Sequence, residues 1–271
     1  FDILTNRWTV RNIAISFVIS LSLIFVSFQT VGIKQYKVRK IVIDPGHGGR
    51  DPGTHGSFSN EKDIVLKISL ELKRIINENI PDVQVVLTRS DDSFPSLAKR
   101  SKIANDLEAD LFISIHANWL SNPNVTGTET YVMATKNIGR NFEVAKRENS
   151  VILLEENYKE TYQNFDPKSI ESYILFSLTQ NAFHEKSVQF ASLVEKQFKE
   201  RVGRRSLGVK QSSLQLLWST AMPSVLIEVG YLSNAKEERY LNDKRNQVYI
   251  ASGIYRAIRD YKKEIEQSIK Q

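Results

Sequence analysis

Three side chains in this sequence have the types and places that metal chemistry asks for. His47 ends the run IVIDPG and is followed by two glycines, and His116 ends LFISI and is followed by AN. Glu61 opens a helical stretch, where its carboxylate can point back toward the strand ends. Two imidazoles and one carboxylate are a three-ligand set that leaves a coordination position for water, the pattern of catalytic zinc. Zinc lowers the pKa of such a water to about 7 and polarises a substrate carbonyl. A further carboxylate is then needed to take the proton from the water and pass it to a leaving nitrogen. Glu228, inside SVLIEVGYL, is the candidate, because an ionisable group in an apolar run is costly unless it has a partner. Plainer readings stand beside these. A strand-end histidine is commonly a hydrogen-bonded structural group, and Glu61 can serve its helix through the dipole alone. The spacing, 14 residues from His47 to Glu61 and 55 on to His116, is not a short-range metal motif.

The remaining marked residues fall to simpler roles. His55 lies in a turn of Gly, Thr and Ser and reads as surface polar, and His184 sits in a helical stretch as an exposed or satisfied histidine. Gly46, Gly48 and Gly49 give the backbone freedom to set His47 beside a metal without crowding a substrate. A phosphate cradle is the competing reading, but no Lys-Ser/Thr follows as a P-loop requires.

These residues need a scaffold, and the pattern supplies one. KIVIDPG (40–46) reads as a buried strand ending in a turn, and Ile64, Val65, Ile68, Leu72, Ile75 and Ile76 recur at helical spacing from Asn60 to Asn79. VQVVLT (83–88) is a second strand, Ser96 to Leu107 a helix, and LFISIHA (111–117) a central strand apolar on both faces. GTETYVMA (127–134) alternates like a strand nearer an edge, SVLIEVGYL (224–232) is another buried strand, and Gln247 to Ile269 a final helix. The expected fold class is α/β: a single domain with a twisted, mostly parallel sheet covered by helices on both faces. Ligands bind such sheets at the carboxyl ends of the strands, where His47, His116 and Glu228 fall. Residues 141–184 break the rhythm and read as a helical insertion over the sheet edge or over the site.

At 271 residues, 41% hydrophobic and 25% charged, the chain has the size and balance of an ordinary globular α/β domain. The net charge of +6 is local. Residues 1–40 hold six basic groups and one acid, which leaves 31 basic against 30 acidic residues beyond them. A near-neutral domain removes the main argument for a nucleic-acid partner. The absence of cysteine excludes disulfides, thiolate ligands and a cysteine nucleophile. Asn12 to Ile33 is an uncharged run preceded by Arg7 and Arg11, which reads as a secretory signal or membrane anchor within residues 1–38. It is the one segment expected to touch a membrane, and it puts the domain at 39–265 in the periplasm or elsewhere in the cell envelope.

Taken together, IDPGHGGRDPG (43–53), Glu61 in EKDIVL, LTRSDD (87–92) with LAKRSKIAN (97–105), SIHAN (114–118) and PSVLIEVGYLSN (223–234) resemble the zinc-dependent N-acetylmuramoyl-L-alanine amidases of type 3, bacterial cell-wall hydrolases. The motifs stand in the family's order and cover nearly the whole domain. The resemblance implies zinc bound by His47, Glu61 and His116, with Glu228 as catalytic carboxylate. It implies peptidoglycan as substrate, cut between N-acetylmuramic acid and the L-alanine of the stem peptide. Arg89 and Asn118 are candidate substrate contacts, although Arg89, like Arg100, can equally fork to an acid inside the fold. Some members carry an inserted helix that blocks the zinc cleft until an activator protein moves it. RENSVILLEENY (147–158) falls where such an insert would, with Glu155 or Glu156 as the candidate inhibitory ligand; a plain surface helix pair is the competing reading. Two other functions remain in view: a zinc hydrolase of another amide, and a catalytically silent cell-wall or divisome protein.

Overall fold

The computed structural model describes residues 37–135, 141–177 and 182–267, so the leader expected at residues 1–38 lies almost wholly outside the described residues. Residues 37–271 form one compact unit. Its first strand, β1 (Lys40–Pro45), leads through the histidine turn into α1 (Glu61–Asn79). The helix buries Ile64, Val65, Ile68, Leu72, Ile75 and Ile76, the expected stripe, while Glu61 and Asp63 in its first turn complement the dipole. β2 (Gln84–Leu87), α2 (Leu97–Asp106) and β3 (Leu111–Asn118) follow. Ser96 caps α2 by accepting the Lys99 N–H. After β4 (Thr128–Met133), the insertion runs as α3 (Phe142–Asn149), a 3-10 turn (Ser150–Leu154), α4 (Tyr158–Thr161) and α5 (Ile170–Ser177). The chain closes with α6 (His184–Gln197), β5 (Ser206–Ser212), α7 (Gln215–Trp218), β6 (Ser224–Tyr231), α8 (Ala235–Asn242) and α9 (Lys244–Gln267).

The six strands form one sheet in the order β2-β1-β3-β6-β4-β5. β4 runs antiparallel to β6, and the other pairs are parallel. β3 and β6 lie at the centre, buried along their whole length, as apolar runs on both faces require. β5 was not anticipated: it forms the edge beyond β4, which lies nearer that edge as expected, and its residues are mostly half-buried.

Register decides which face carries the chemistry. His116 pairs with Glu228, and Glu228 with Glu129, so three polar groups stand in a row across β3, β6 and β4. By the two-residue alternation of a strand, His116 shares a face with Phe112, Glu228 with Leu226 and Glu129 with Tyr131. Phe112, Leu226 and Tyr131 belong to the core cluster that also holds Leu97, Leu216 and, from the insertion, Ile152, Tyr162, Phe165 and Tyr173. The insertion therefore covers the face that bears the site. It is also well anchored. Ile152 and Tyr173 are fully buried, and Asn149 donates to the Ser213 carbonyl while accepting the Gln215 N–H.

Candidate active site

The turn after β1 is built to aim His47. The imidazole sits on backbone in the left-handed region (φ 59°), closed by reciprocal Gly48–Asp51 backbone hydrogen bonds. Two arginines hold the three carbonyls leading into it. Arg100 donates to Pro45 and His47 and pairs with buried Asp44 at 2.9 Å, and Arg89 donates to Pro45 and Gly46. Gly46 is required by a close approach, because a Cβ there would stand 2.5 Å from the His116 ring. The sequence had suggested glycines as clearance for a substrate, but at this position the room is for the second histidine. Gly53 (φ +69°) likewise passes where a Cβ would meet His47 and Glu61 within 2.8 Å.

The three expected ligands converge. The nitrogen and oxygen atoms that His47, Glu61 and His116 offer all lie within 4.8 Å of one another, and all three residues are buried. His47 Nδ1 is 2.7 Å from Asp51 Oδ2, which fixes the tautomer and leaves Nε2 facing the cluster. Glu61 accepts the Thr54 N–H and the Ala117 N–H on opposite oxygens, and its Oε1 lies 3.0 Å from His116 Nδ1.

A fourth group completes the ring, and it is not one of the acids expected. Glu148, the penultimate residue of α3, puts Oε2 3.1 Å from His116 Nδ1 and 3.7 Å from His47 Nε2. Its neighbour Arg147 donates from Nε to Glu148 Oε1 at 2.8 Å, from Nη2 to Glu228 Oε1 at 3.4 Å, and from Nη1 to the Trp119 carbonyl. Glu155 is elsewhere. It accepts the Leu97 N–H and the Tyr162 hydroxyl, tying the insertion to the start of α2, and Glu156 is exposed. The expectation for Glu155 and Glu156 is thus corrected by about two helical turns.

The structure gives both candidate substrate contacts partners within the fold. Arg89 spends its donors on the carbonyls of Pro45, Gly46, Lys62 and Asp91. Buried Asn118 donates to Glu129 and accepts the Trp119 N–H. His55 stays at the surface beside Asn60, and His184 opens α6. Three functional residues carried no separate mark in the sequence: Asp51, Arg147 and Glu148. Asp51 was findable as the acid one helical-turn spacing after His47; the other two depend on how the insertion docks.

The electrostatics describe a place for a cation. Burial disfavours a charged His47, yet Glu61 and Asp51 push its pKa up to about 9, and His116 is raised for the same kind of reason by Glu148 and Glu61. Burial likewise opposes charge on Glu148, but Arg147 and His116 hold its pKa down to about 2. Glu228 is moved the other way, well above the ordinary carboxylate range, by burial and by the Glu148 charge. Among the described residues, His47 Nε2, Glu148 Oε2 and Glu228 Oε2 are buried without a hydrogen-bond partner. Two orphaned donor atoms facing one another, with carboxylates enforcing positive charge between them, fit a divalent metal that prefers imidazole and carboxylate.

Comparison with known proteins defines the class. Residues 41–260 match the Amidase_3 family, N-acetylmuramoyl-L-alanine amidase, and the chain belongs to that family. It is 34% identical over 228 residues to N-acetylmuramoyl-L-alanine amidase AmiA of Escherichia coli, covering 82% of this chain and 76% of that one. A putative N-acetylmuramoyl-L-alanine amidase of Buchnera aphidicola is 32% identical, covering 81% and 95%. Among solved structures, the catalytic domain of the amidase CwlV from Bacillus (Paenibacillus) polymyxa var. colistinus superposes with TM-score 0.61 at 32% identity, covering 82% of this chain and 97% of that one. The CwlD amidase of Clostridioides difficile, solved in complex with the GerS lipoprotein, gives TM-score 0.60 at 26% identity, covering 82% and 98%. The chain is an amide hydrolase of the N-acetylmuramoyl-L-alanine amidase class, and peptidoglycan is the substrate the family implies.

Proposed function

We propose that this enzyme is a zinc amidase whose own insertion closes the metal centre at rest. His47, Glu61 and His116 would hold the ion, which when bound supplies Lewis-acid polarisation and an activated water. The residues around it have separable tasks. Asp51 orients His47, the Thr54 and Ala117 amides orient Glu61, and Glu228 takes a proton at Oε2 and returns it to the leaving nitrogen. The position of Glu228 supports that role, because it lies directly across from the ligand His116 in the sheet register and is fully buried beside the cluster.

The observation that carries the resting-state reading is Glu148 Oε2, buried beside both imidazoles where water and substrate would have to enter. Arg147 adds a second obstruction, since the guanidinium that steadies Glu148 also pairs with Glu228. One turn of helix therefore lies against both the residues that would hold the metal and the proton shuttle. Release requires α3 to withdraw, and an activator protein acting on residues 141–184 would provide it. A structural neighbour solved with a lipoprotein partner supports such regulation by a second protein. The uncharged run at residues 12–33 supports a place in the cell envelope, either secreted or anchored. Among the described residues, no helix is long and apolar enough to cross a membrane.

Glu148→Ala tests the proposal. Hydrolysis of purified peptidoglycan without any activator is expected to rise at least tenfold over wild type; equal rates would remove autoinhibition.

A further inference from the structure

A cavity of about 550 Å³ opens beside His47, within the ~300–1,000 Å³ typical of small-molecule sites. It persists with Glu148 in place, and the insertion supplies part of its wall through Arg147, Ser150, Val151 and Leu154. One wall is the indole of Trp119, three residues beyond His116 and 44% exposed. Unlike the other exposed aromatics, Phe58, Trp218 and Tyr249, this one lines the cavity beside the metal cluster, and its backbone is held in place. Its N–H is taken by Asn118 Oδ1, its carbonyl by Arg147, and the next amide by Ser233. Leu154, 43% exposed, adds apolar surface from the 3-10 turn, and Thr54 and His55 form a polar side.

The charges indicate the ligand. Beside His47, which belongs to the metal cluster, two charged residues line the cavity, and both are committed: Asp51 to His47 and to the Gly53 N–H, Arg147 to Glu148 and Glu228. The cavity thus offers no free charge to the stem peptide, which carries carboxylates. It does offer a flat aromatic face with polar groups opposite. That is the complement of a neutral N-acetylhexosamine ring, which has a C–H face and a hydroxyl rim.

We infer that Trp119 is the stacking platform for a sugar ring of the glycan strand, a subsite that holds the wall while the metal centre is still closed. The inference rests on the amidase reading but is separable from it, because sugar binding requires no turnover. Truncating a tryptophan that anchors a bound partner to alanine commonly weakens binding about tenfold or more. The enzyme would engage glycan first and cut only after α3 withdraws.

Isothermal titration of the zinc-loaded full chain with short neutral oligomers of N-acetylglucosamine tests this. Wild type is expected to bind saturably, Trp119→Ala about tenfold more weakly, and Trp119→Phe less than about threefold more weakly. Absence of saturable binding to wild type overturns the subsite, as do equal affinities for wild type and Trp119→Ala. Displacement of the sugar by a free alanyl-glutamyl peptide would reassign the cavity to the stem and also overturn it. If instead Glu148→Ala releases no stem peptide from wall while sugar still binds, the amidase reading fails and the subsite stands.

Discussion

His47 Nε2 and Glu148 Oε2 are both buried and make no hydrogen bond, resting on ion-pair contacts alone, 3.2 Å to Glu61 and 3.1 Å to His116. A divalent ion satisfies both, and this places the strongest single-residue prediction on the group behind His47. Asp51→Asn is expected to weaken zinc affinity about 10–100-fold, as loss of the partner of a metal-bound imidazole generally does. Chelator competition would measure it, with the melting temperature of the metal-free protein as control; unchanged affinity would show that Asp51 merely shapes the turn. At this scale the sequence was informative where chemistry follows from type and setting. His47, His116 and Glu228 end or interrupt apolar strands, and Glu61 opens a helix, so each announces a polar group in a place where folding alone would not put one. Arg89 and Asn118 show the limit. Both are polar residues beside motif positions, and nothing in their spacing tells that their donors are consumed by Gly46, Lys62 and Glu129.

The insertion shows why an element can be recognised before its register is known. RENSVILLEENY has an apolar stripe and many acids, and a continuous helix would make Glu155 as eligible as Glu148. The chain instead leaves α-helix at Asn149 for a 3-10 turn, because Asn149 is drawn into bonds with Ser213 and Gln215 and Ile152 is buried in the core. That break turns Glu155 toward Leu97 and leaves Glu148 facing the histidines. Ile152 would therefore be the peg on which the proposed closure hangs. Ile152→Ala is expected to cost about 2–5 kcal/mol, and part of the loss should appear as opening of the insertion rather than global unfolding. Faster proteolysis within residues 141–177 together with higher activator-free hydrolysis would establish this, and a lowered melting temperature with no gain in hydrolysis would contradict it. The strand β5 and the reversed β4 were also illegible, for related reasons. SLGVKQS is a half-buried edge whose two apolar residues, Leu207 and Val209, make too short an alternation to read, and strand direction is set by connections across the sheet rather than by composition.

At the scale of the molecule, a mostly parallel sheet presents its strand ends as a platform, the arginines of α2 and of the segment after β2 fasten the histidine turn to it, and the insertion lies over the face on which the three expected ligands stand. Such a centre ties metal binding to stability. Zinc at about 100 times its dissociation constant should add about 2.7 kcal/mol, raising the melting temperature of a domain this size by about 5–11 °C. Differential scanning calorimetry with and without zinc would record it, and a shift that survives His116→Ala would place the metal elsewhere. The central claim, that one turn of α3 holds a complete amidase centre shut, is tested most directly by dye release from purified peptidoglycan alongside zinc content. The proteins to compare are wild type, Glu148→Ala, Glu228→Ala and the double variant. The account predicts about one zinc per chain in all four, slow release by wild type, release at least tenfold faster by Glu148→Ala, and loss of about 10²–10⁴-fold whenever Glu228 is replaced. Wild type already as fast as Glu148→Ala, or a double variant that still cuts, would contradict it.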